Sequence, residues 1–320
     1  MILFLTALSG CIQPPESEYD VFSDIVYQNL PDIDQNLISL DVYVPTSNLT
    51  HLLQIDFKNI KNKSSKPVLN QIKENISSEN NKMPVMIWVH GGGWRRGDKN
   101  NSLTYKIPYF INNCWILVSV NYRLSLEDIP TNPAELDPNR IKYPIHNQDV
   151  AAAVAWVYNN IEEYGGNPHD ISLMGHSAGA GIIAAIGTNE SFLEEHDLSL
   201  DTIRHVICLD TAAYDIRERC ETGSMLYFNA FDTDPAVWDD ASPLYNIDET
   251  DDLSSFLIVT RGTEKRVNLS ERFTQALETN GSEAQLLHAE KYTHAQVNQA
   301  IGHPNDEIIT HVLINFLEMN

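Results

Sequence analysis

Basic residues are scarce in this chain. Its 320 residues include 44 acidic but only 21 basic side chains, which gives a formal net charge of −23. Because Lys and Arg must neutralise the phosphates of a nucleic acid, this deficit argues against a nucleic-acid-binding protein. The acidity is interpreted as a solvated surface that keeps the protein soluble. The acidic residues clustered at 232–252 fit no EF-hand spacing, so no calcium site is predicted there.

Cysteine is also scarce, and no two cysteines form a C-x-x-C pair. Three of the four, Cys114, Cys208 and Cys220, are widely spaced and are interpreted as core residues or free thiols. Zinc sites and redox motifs require closely spaced cysteines. The cysteines therefore predict no metal site.

The chain starts with an apolar run, Met1 to Cys11, that is too short to span a bilayer. Its last four residues, Leu-Ser-Gly-Cys, resemble a bacterial lipobox, in which the cysteine is lipidated and becomes the mature N-terminus. No Lys or Arg precedes the run, and a frayed hydrophobic terminus is the alternative. We expect residues 1–20 to be a lipoprotein-type signal segment and tether, with Cys11 binding membrane lipid in a bacterial cell envelope, on the periplasmic side or the outer membrane.

Apolar residues make up 42% of the chain, which is typical of a globular protein with a packed core. From residue 85 onward, strand and helix patterns alternate, which predicts an α/β fold with a mostly parallel sheet and helices on both faces. Residues 46–83 are rich in Asn, Lys and Ser and are interpreted as a polar insertion in a single domain spanning 21–320. Strands are predicted near 24–28, 38–44, 85–89, 115–121, 171–175, 204–209, 255–260 and 284–288, and helices near 99–112, 146–163, 178–187, 268–279 and 305–317.

Two glycine-rich motifs lie at the ends of predicted strands. Gly175-His-Ser-Ala-Gly179 follows one strand and opens a helix, the context in which G-x-S-x-G marks a nucleophilic serine on a strained turn. His90-Gly-Gly-Gly-Trp94 follows the strand at 85–89. Glycine costs about 0.5–1 kcal/mol relative to alanine in regular structure, so the three glycines serve either a turn that needs φ > 0 or close approach of another group to the backbone, and their number favours close approach. In a parallel sheet, both motifs lie at the carboxyl ends of the strands.

With these motifs, and with Asn121-Tyr-Arg-Leu124 and Tyr164-Gly-Gly-Asn-Pro168, the chain resembles the α/β-hydrolase superfamily. The similarity is to carboxylesterases related to hormone-sensitive lipase, feruloyl esterases and arylformamidases, and it runs from about residue 25 to the C-terminus. It implies an α/β-hydrolase fold and a serine hydrolase that needs no cofactor, with Ser177 as the nucleophile.

The resemblance also gives roles to the glycine loop. When Ser177 attacks a carbonyl, the oxygen becomes negative and needs hydrogen-bond donors that are already in place. Backbone N–H groups of Gly92, Gly93 and Ala178 are the expected donors of this oxyanion hole. In the resembled family the histidine of the loop, here His90, braces the loop and is not the base.

The general base is expected late in the chain, because this fold orders its triad as serine, then acid, then histidine. Four histidines qualify by position: His288, His294, His303 and His311. His288 lies in a predicted strand and His311 in the last predicted helix. His294 follows the last strand after a short polar loop and precedes a helix, as the catalytic histidine of the family does. His294 is the predicted base, with His303 as the reserve.

The acid departs from the family pattern. Members commonly carry an aspartate after the seventh strand, in G-T-x-D, whereas this chain has Lys265 at that position. Glu264, one residue earlier, is one candidate. Asp210 is the favoured candidate, because it ends the preceding strand and some α/β-hydrolases take their acid from there. Asp215 is a third candidate.

The expected function is hydrolysis of a small-molecule carboxylic ester through an acyl-enzyme on Ser177. Amide or formamide hydrolysis, as in arylformamidases, uses the same groups and is one alternative. The other is a surface binding protein that has kept the fold and lost the reaction, which the lysine at 265 supports. The loops at 124–143 and 214–250 are expected to shape the substrate pockets, and their composition does not identify the substrate.

Overall fold

The computed structural model of the chain describes residues 19–46, 82–247 and 253–318. Eight strands in these ranges form one sheet: β1 (Tyr19–Val26), β2 (Ser39–Pro45), β3 (Met83–Val89), β4 (Ile116–Val120), β5 (Gly166–His176), β6 (Ile203–Leu209), β7 (Ser255–Thr260) and β8 (Ala284–His288). Their order in the sheet is β1-β2-β4-β3-β5-β6-β7-β8. Strand β2 is antiparallel to β1 and β4, and every other neighbouring pair is parallel. The predicted, mostly parallel sheet is confirmed.

Helices cover both faces of this sheet. The α-helices of the described ranges are α1 (Lys106–Asn112), α2 (Ile145–Asn160), α3 (Ala178–Ile186), α4 (Ser191–Glu194), α5 (Ile216–Glu221), α6 (Met225–Phe231), α7 (Pro235–Asp240), α8 (Glu264–Asn280), α9 (His294–Ala300) and α10 (Ile309–Glu318). Short 3-10 helices lie at Gln35–Ile38, Pro133–Glu135, Ile161–Tyr164, Leu200–Thr202 and Pro243–Tyr245.

Strand β3 shows why the sheet is covered on both sides. Its side chains alternate between the two faces, because successive residues of a strand point in opposite directions. Val85, Ile87 and Val89 join one core cluster, which includes side chains of α2, α3 and α8. Met86 and Trp88 join a second cluster with side chains of α1, α9 and α10. A strand buried on both faces must be apolar throughout, and such runs are typical of parallel sheets.

Some elements differ from the sequence prediction. Strand β1 spans Tyr19–Val26 and not 24–28, and most of its residues are exposed at the edge of the sheet. An exposed edge strand carries no strong apolar alternation, so its start is hard to place from sequence. Helix α8 begins at Glu264, before the predicted 268. The loop predicted at 214–250 contains the three short helices α5, α6 and α7, each of which is too short for a clear 3.6-residue pattern.

Several sequence predictions fall on residues outside the described ranges. These are the lipobox with Cys11 and almost all of the insertion at 46–83. The single domain over 21–320 also stays a prediction. Among the residues that the structure does describe, none of the helices is both long enough and apolar enough to cross a membrane.

Candidate active site

The loops that follow the six parallel strands, β3 to β8, lie at the carboxyl edge of the sheet. Because parallel strands end at the same edge, residues that are far apart in the chain come together there. Every residue predicted to act in catalysis lies on or next to one of these loops.

Ser177 occupies a strained turn between β5 and α3. Its φ of 56° and ψ of −116° are rare for a non-glycine residue, and such conformations cost roughly 1–3 kcal/mol. Backbone hydrogen bonds hold the turn, since Ser177 N donates to the Leu209 carbonyl (3.0 Å) and Gly181 N donates to the Ser177 carbonyl (3.1 Å). The Ser177 hydroxyl makes no hydrogen bond to any residue that the structure describes. No hydrogen bond within the described ranges therefore depends on that hydroxyl.

The two glycines around Ser177 allow helix α3 to cross close to the strands. A Cβ at Gly179 would lie 2.3 Å from the carbonyl oxygen of Val89, and one at Gly175 would lie 2.6 Å from the carbonyl carbon of Gly179. Neither separation leaves room for a methyl group in a close-packed interior. Strand and helix therefore meet through their backbones.

The glycine loop after β3 needs its glycines for its own shape. Gly92 and Gly93 have φ values of 133° and 62°, and a Cβ at Gly92 would lie 1.9 Å from the Arg96 carbonyl oxygen. The sequence analysis favoured close approach of another group and kept a turn with positive φ as the alternative, and the conformation and packing of the loop itself give that second reason for its glycines. The N–H groups of Gly92, Gly93 and Ala178 donate no hydrogen bond within the described part of the chain.

His90 lies directly behind this loop. Its ring stacks on Tyr122, with ring centroids 4.5 Å apart, and the Tyr122 hydroxyl donates to the His90 carbonyl (3.0 Å). Burial lowers the pKa of His90 below its usual value, so the ring is neutral at neutral pH. This position suits the bracing role that the resemblance implies.

The structure brings His294 and Asp210 into contact. His294 is the first residue of α9, where Thr293 caps the helix and forms a capping box with Gln296. Its Nδ1 lies 2.6 Å from Oδ2 of Asp210, whose side chain is fully buried. Ser177 and His294 line the same cavity. The nucleophile, base and acid candidates therefore come together from the ends of β5, β8 and β6.

His176, the residue before Ser177, holds the start of α9. Its Nε2 lies 3.0 Å from the carbonyl oxygen of His294, and the two rings are 4.3 Å apart. Burial, followed by the neighbouring His294, lowers the pKa of His176 to about 3. The ring is therefore neutral at neutral pH, and its Nε2–H can donate to this carbonyl.

Two arginines share the carboxylate of Asp210 with His294. Arg261 Nε lies 2.7 Å from Oδ2, and Arg266 Nε lies 2.7 Å from Oδ1. Arg266 also donates through Nη2 to the backbone carbonyl of Asp210 (2.7 Å). Burial raises the pKa of Asp210, but the hydrogen bond from His294 and the two arginines outweigh burial and lower this pKa to about 2. Asp210 is therefore ionised at neutral pH.

The other acid candidates contact different partners. Glu264 is exposed at the first position of α8. Asp215 is buried, where it caps α5 and pairs with Arg272 (3.0 Å). Lys265, at the family's usual acid position, pairs with Glu218 (3.0 Å). Of the three acids considered from the sequence, Asp210 is the one that the structure places against His294.

The other candidate histidines also have different surroundings. His288, on β8, lies 3.8 Å from the carboxylate of Glu271. His303 packs against Tyr105, with ring centroids 4.5 Å apart. His311 lies within α10.

A cavity of about 650 Å³ opens beside the serine turn. It is lined by Ser177, His294 and the glycine loop, with Leu226 of α6 and Ile129 adding apolar surface. Leu226 and Ile129 come from the two loops that the sequence analysis expected to shape the pockets. A volume of this size suits a small-molecule ligand.

A metal site was not expected from the sequence. Within residues 19–46, 82–247 and 253–318, no group of three or more His, Cys, Asp or Glu side chains is arranged to hold a metal ion. That the reaction needs no cofactor stays a prediction.

Comparison with known proteins gives the family. Residues 6–192, more than half of the chain, match the model of the carboxylesterase family. The chain belongs to the carboxylesterase family. It is 33% identical over 135 residues to esterase LipQ of Mycobacterium tuberculosis, with 42% of this chain and 29% of that protein covered. It is 34% identical over 119 residues to chlorogenic acid esterase of Aspergillus niger, with 35% and 21% covered. The chain spans less than a third of the length of either relative.

The fold of this carboxylesterase family member is also seen in solved structures. A truncated form of a carbohydrate esterase from gut microbiota superposes with a TM-score of 0.66, covering 96% of this chain and 98% of that chain. The two sequences are 16% identical, so the likeness shows the fold alone. Together with the sheet topology, it confirms the predicted α/β-hydrolase fold.

The sequence analysis missed basic residues at and around the site, among them Arg95 and Arg96, which line the cavity, and three that contact its acid or helix α9. Two are Arg261 and Arg266, and the third is Lys106 of α1, which is buried. Lys106 Nζ donates to Asn298 Oδ1 of α9 (2.8 Å) and lies 4.3 Å from the centroid of the Trp88 ring. Burial lowers the pKa of Lys106 to about 7. The sequence signal that could have found them is a basic residue next to a strand end or within an apolar segment, because basic residues are scarce in this chain.

Proposed function

We propose that this member of the carboxylesterase family is a serine hydrolase that cleaves small-molecule carboxylic esters. Ser177 is the nucleophile, His294 is the general base and acid, and Asp210 orients His294. The observation that carries the proposal is the 2.6 Å contact between His294 Nδ1 and Asp210 Oδ2, beside a cavity that Ser177 lines. Such a contact fixes the tautomer whose Nε2 is free to accept a proton.

Acylation begins when Ser177 Oγ attacks the ester carbonyl carbon. The hydroxyl proton passes to Nε2 of His294, and the ionised Asp210 stabilises the imidazolium that forms. When the tetrahedral intermediate collapses, His294 gives this proton to the leaving alcohol. The acyl group stays on Ser177. Deacylation repeats these steps with water as the attacking group, and the proton returns to Ser177.

The negative oxygen of each tetrahedral intermediate is bound by backbone N–H groups. Those of Gly92, Gly93 and Ala178 are suited to this role, since they have no acceptor among the described residues. Because their directions are fixed by the glycine loop and by helix α3, no reorganisation is needed as the charge develops. Loss of one such donor typically costs about 3–4 kcal/mol in the transition state.

Two other functions were considered from the sequence. Formamide or amide hydrolysis uses the same triad, so binding in the cavity decides which carbonyl compound reacts. A binding protein without activity was supported by the lysine at position 265. Asp210 now offers His294 an acid from a different strand, which removes that support. The carboxylate contact therefore favours an active hydrolase.

Fluorophosphonate labelling and a substrate screen test the proposal. An activated Ser177 reacts covalently with a fluorophosphonate, and peptide mapping should locate the label at that residue. The screen should compare p-nitrophenyl esters of increasing acyl length with chlorogenic acid, a feruloyl ester and an N-formyl arylamine. Turnover of the formamide above every ester would make the protein an amidase. Absence of both labelling and turnover would favour the binding protein.

We also propose that Cys11 anchors the protein to a bacterial membrane. The support is the tetrad Leu-Ser-Gly-Cys at the end of the short apolar run. The expressed protein is expected in the detergent phase after Triton X-114 separation, and Cys11→Ser is expected in the aqueous phase. One acyl chain binds a membrane only marginally, whereas the several chains of a mature bacterial lipoprotein anchor it stably. Equal partitioning of the two proteins would mean that Cys11 carries no anchor.

A further inference from the structure

The loop after β7 gives the candidate acid two cationic partners. Asp210 is fully buried, and both of its carboxylate oxygens accept hydrogen bonds from arginines of this loop and of the first turns of α8. Oδ2 accepts from Arg261 and also lies against His294 Nδ1, so it is shared by an arginine and the imidazole. The guanidinium of Arg261 and the ring of His294 are therefore close neighbours.

Arg266 holds the other side of Asp210. It donates to Oδ1 and to the backbone carbonyl of the same residue, each at 2.7 Å. The backbone of Asp210 has a φ of 49°, a conformation that non-glycine residues rarely adopt. Contacts that bind the backbone and side chain together hold such a residue in one orientation. Arg266 therefore fixes the direction in which Asp210 presents its carboxylate.

The charge of this loop is opposite to that expected from the family pattern. Members of the resembled family commonly carry an aspartate at the position of Lys265, whereas this chain has a lysine there with Arg261 and Arg266 on either side. With the acid supplied by β6, a second carboxylate from the β7 loop would repel Asp210. The cations instead compensate the buried negative charge of Asp210. Without such partners, a carboxylate buried to this extent would strongly destabilise the fold.

We propose that Arg261 and Arg266 are positioning residues of the triad, and that their charge extends catalysis to lower pH. The proposal rests on the proposed function, in which neutral His294 is the base. Asp210 alone would favour protonation of His294 through its negative charge. The two arginines oppose this protonation. Together with the carboxylate of Asp210 they already carry one excess positive charge before His294 gains a proton.

Other charged or titratable groups also act on His294. His176 of β5 touches its ring, Lys106 of α1 contacts Asn298 on the same helix, and the cavity that His294 lines also contains Arg95 and Arg96. The positive charges of Lys106, Arg95 and Arg96 act in the same direction as the arginine pair, whereas the His176 ring is neutral. Variants of Arg261 and Arg266 leave them unchanged, and any difference from wild type reports the pair alone.

The test compares pH profiles of kcat/KM for wild type, Arg261→Gln, Arg266→Gln and the lysine variants at both positions. Hydrolysis of a short-chain p-nitrophenyl ester is followed at the isosbestic wavelength of p-nitrophenol and its anion, so the readout does not depend on the ionisation of the product. The acid limb of each glutamine variant is expected to move to higher pH by about 0.5–1 unit, a shift reduced by solvent because both arginines are partly exposed. The lysine variants keep the charge and are expected to retain the wild-type limb.

Lys265→Gln is the matched control. It removes one positive charge from the same loop, but Lys265 contacts Glu218 and not Asp210. Its acid limb should coincide with that of wild type. An equal shift in Lys265→Gln would overturn the proposal in favour of an effect of net charge. Coincident limbs for wild type and both glutamine variants would overturn it as well.

A second measurement separates failure of this proposal from failure of the proposed function. In Ser177→Ala protein, the titration of His294 is followed by NMR with and without Arg261→Gln, so no turnover is needed. The midpoint should rise when the arginine is removed. An unchanged midpoint would refute the coupling, whatever the activity of the enzyme. If Arg266→Gln does not fold, the two variants of Arg261, which makes one hydrogen bond to Asp210 where Arg266 makes two, still decide the question.

Discussion

Ser177→Ala is expected to lower kcat for short-chain aryl esters by at least about 10⁴-fold, since removal of a catalytic serine costs serine hydrolases this much or more. The thermal midpoint should stay almost unchanged. The turn at Ser177 is held by backbone hydrogen bonds to Leu209 and from Gly181, and both remain in the alanine variant. The hydroxyl itself bonds no residue that the structure describes, so its removal leaves no buried partner unsatisfied.

Ser102→Ala is the matched control for this prediction. Ser102 lines the same cavity, and its hydroxyl accepts a hydrogen bond from Asn298 (3.0 Å). Loss of this hydrogen bond should change kcat less than tenfold, because a hydrogen bond that only positions a neighbour contributes about 0.5–1.5 kcal/mol. Initial rates and differential scanning fluorimetry on both variants provide the readings. Activity of Ser177→Ala above a tenth of wild type would mean that another group is the nucleophile.

The parallel core of the fold was predictable because its central strands are buried on both faces. β3 to β7 therefore appear as short apolar runs, and helical patterns separate them everywhere except between β6 and β7. The elements that sequence missed lack such a signal. β1 is exposed at the sheet edge, and α5 to α7 depend on packing against the rest of the molecule, since helices of six or seven residues are not stable alone.

The candidate site was predictable where a backbone constraint leaves a motif. The serine turn and the glycine loop need glycine at fixed positions, and glycine is readable from sequence. The acid leaves no such trace, because any strand-end carboxylate satisfies the same pattern. Asp210 and Glu264 were therefore both open until the sheet order placed one of them beside His294. The arginines around Asp210 were missed because their role depends on that choice of acid.

The identity of the acid gives the second large effect. Asp210→Asn is expected to lower kcat by about 10³–10⁴-fold, as loss of tautomer control does in serine hydrolases of this design. Asparagine can present its amide N–H₂ to Nδ1, which favours the tautomer with the proton on Nε2 and blocks its use as a base. Glu264→Gln should cost less than about tenfold, since an exposed side chain contributes only screened electrostatics. Steady-state kcat values of the two variants, measured at the wild-type pH optimum, provide the comparison.

A structural control is needed, because Asp210→Asn also leaves Arg261 and Arg266 without their anion. Asp215→Asn supplies it, since Asp215 is a buried carboxylate paired with Arg272 that makes no contact with His294. If the loss of kcat came from destabilisation, both buried variants would lose activity in proportion to their shift in thermal midpoint. If Asp210 orients the base, its variant loses far more activity than Asp215→Asn at the same loss of stability.

A larger loss of kcat in Glu264→Gln than in Asp210→Asn would assign the role to Glu264. Near-wild-type kcat values in Asp210→Asn and Glu264→Gln would mean that another group orients His294. The ratio of the kcat losses in these two variants therefore decides which carboxylate orients the base.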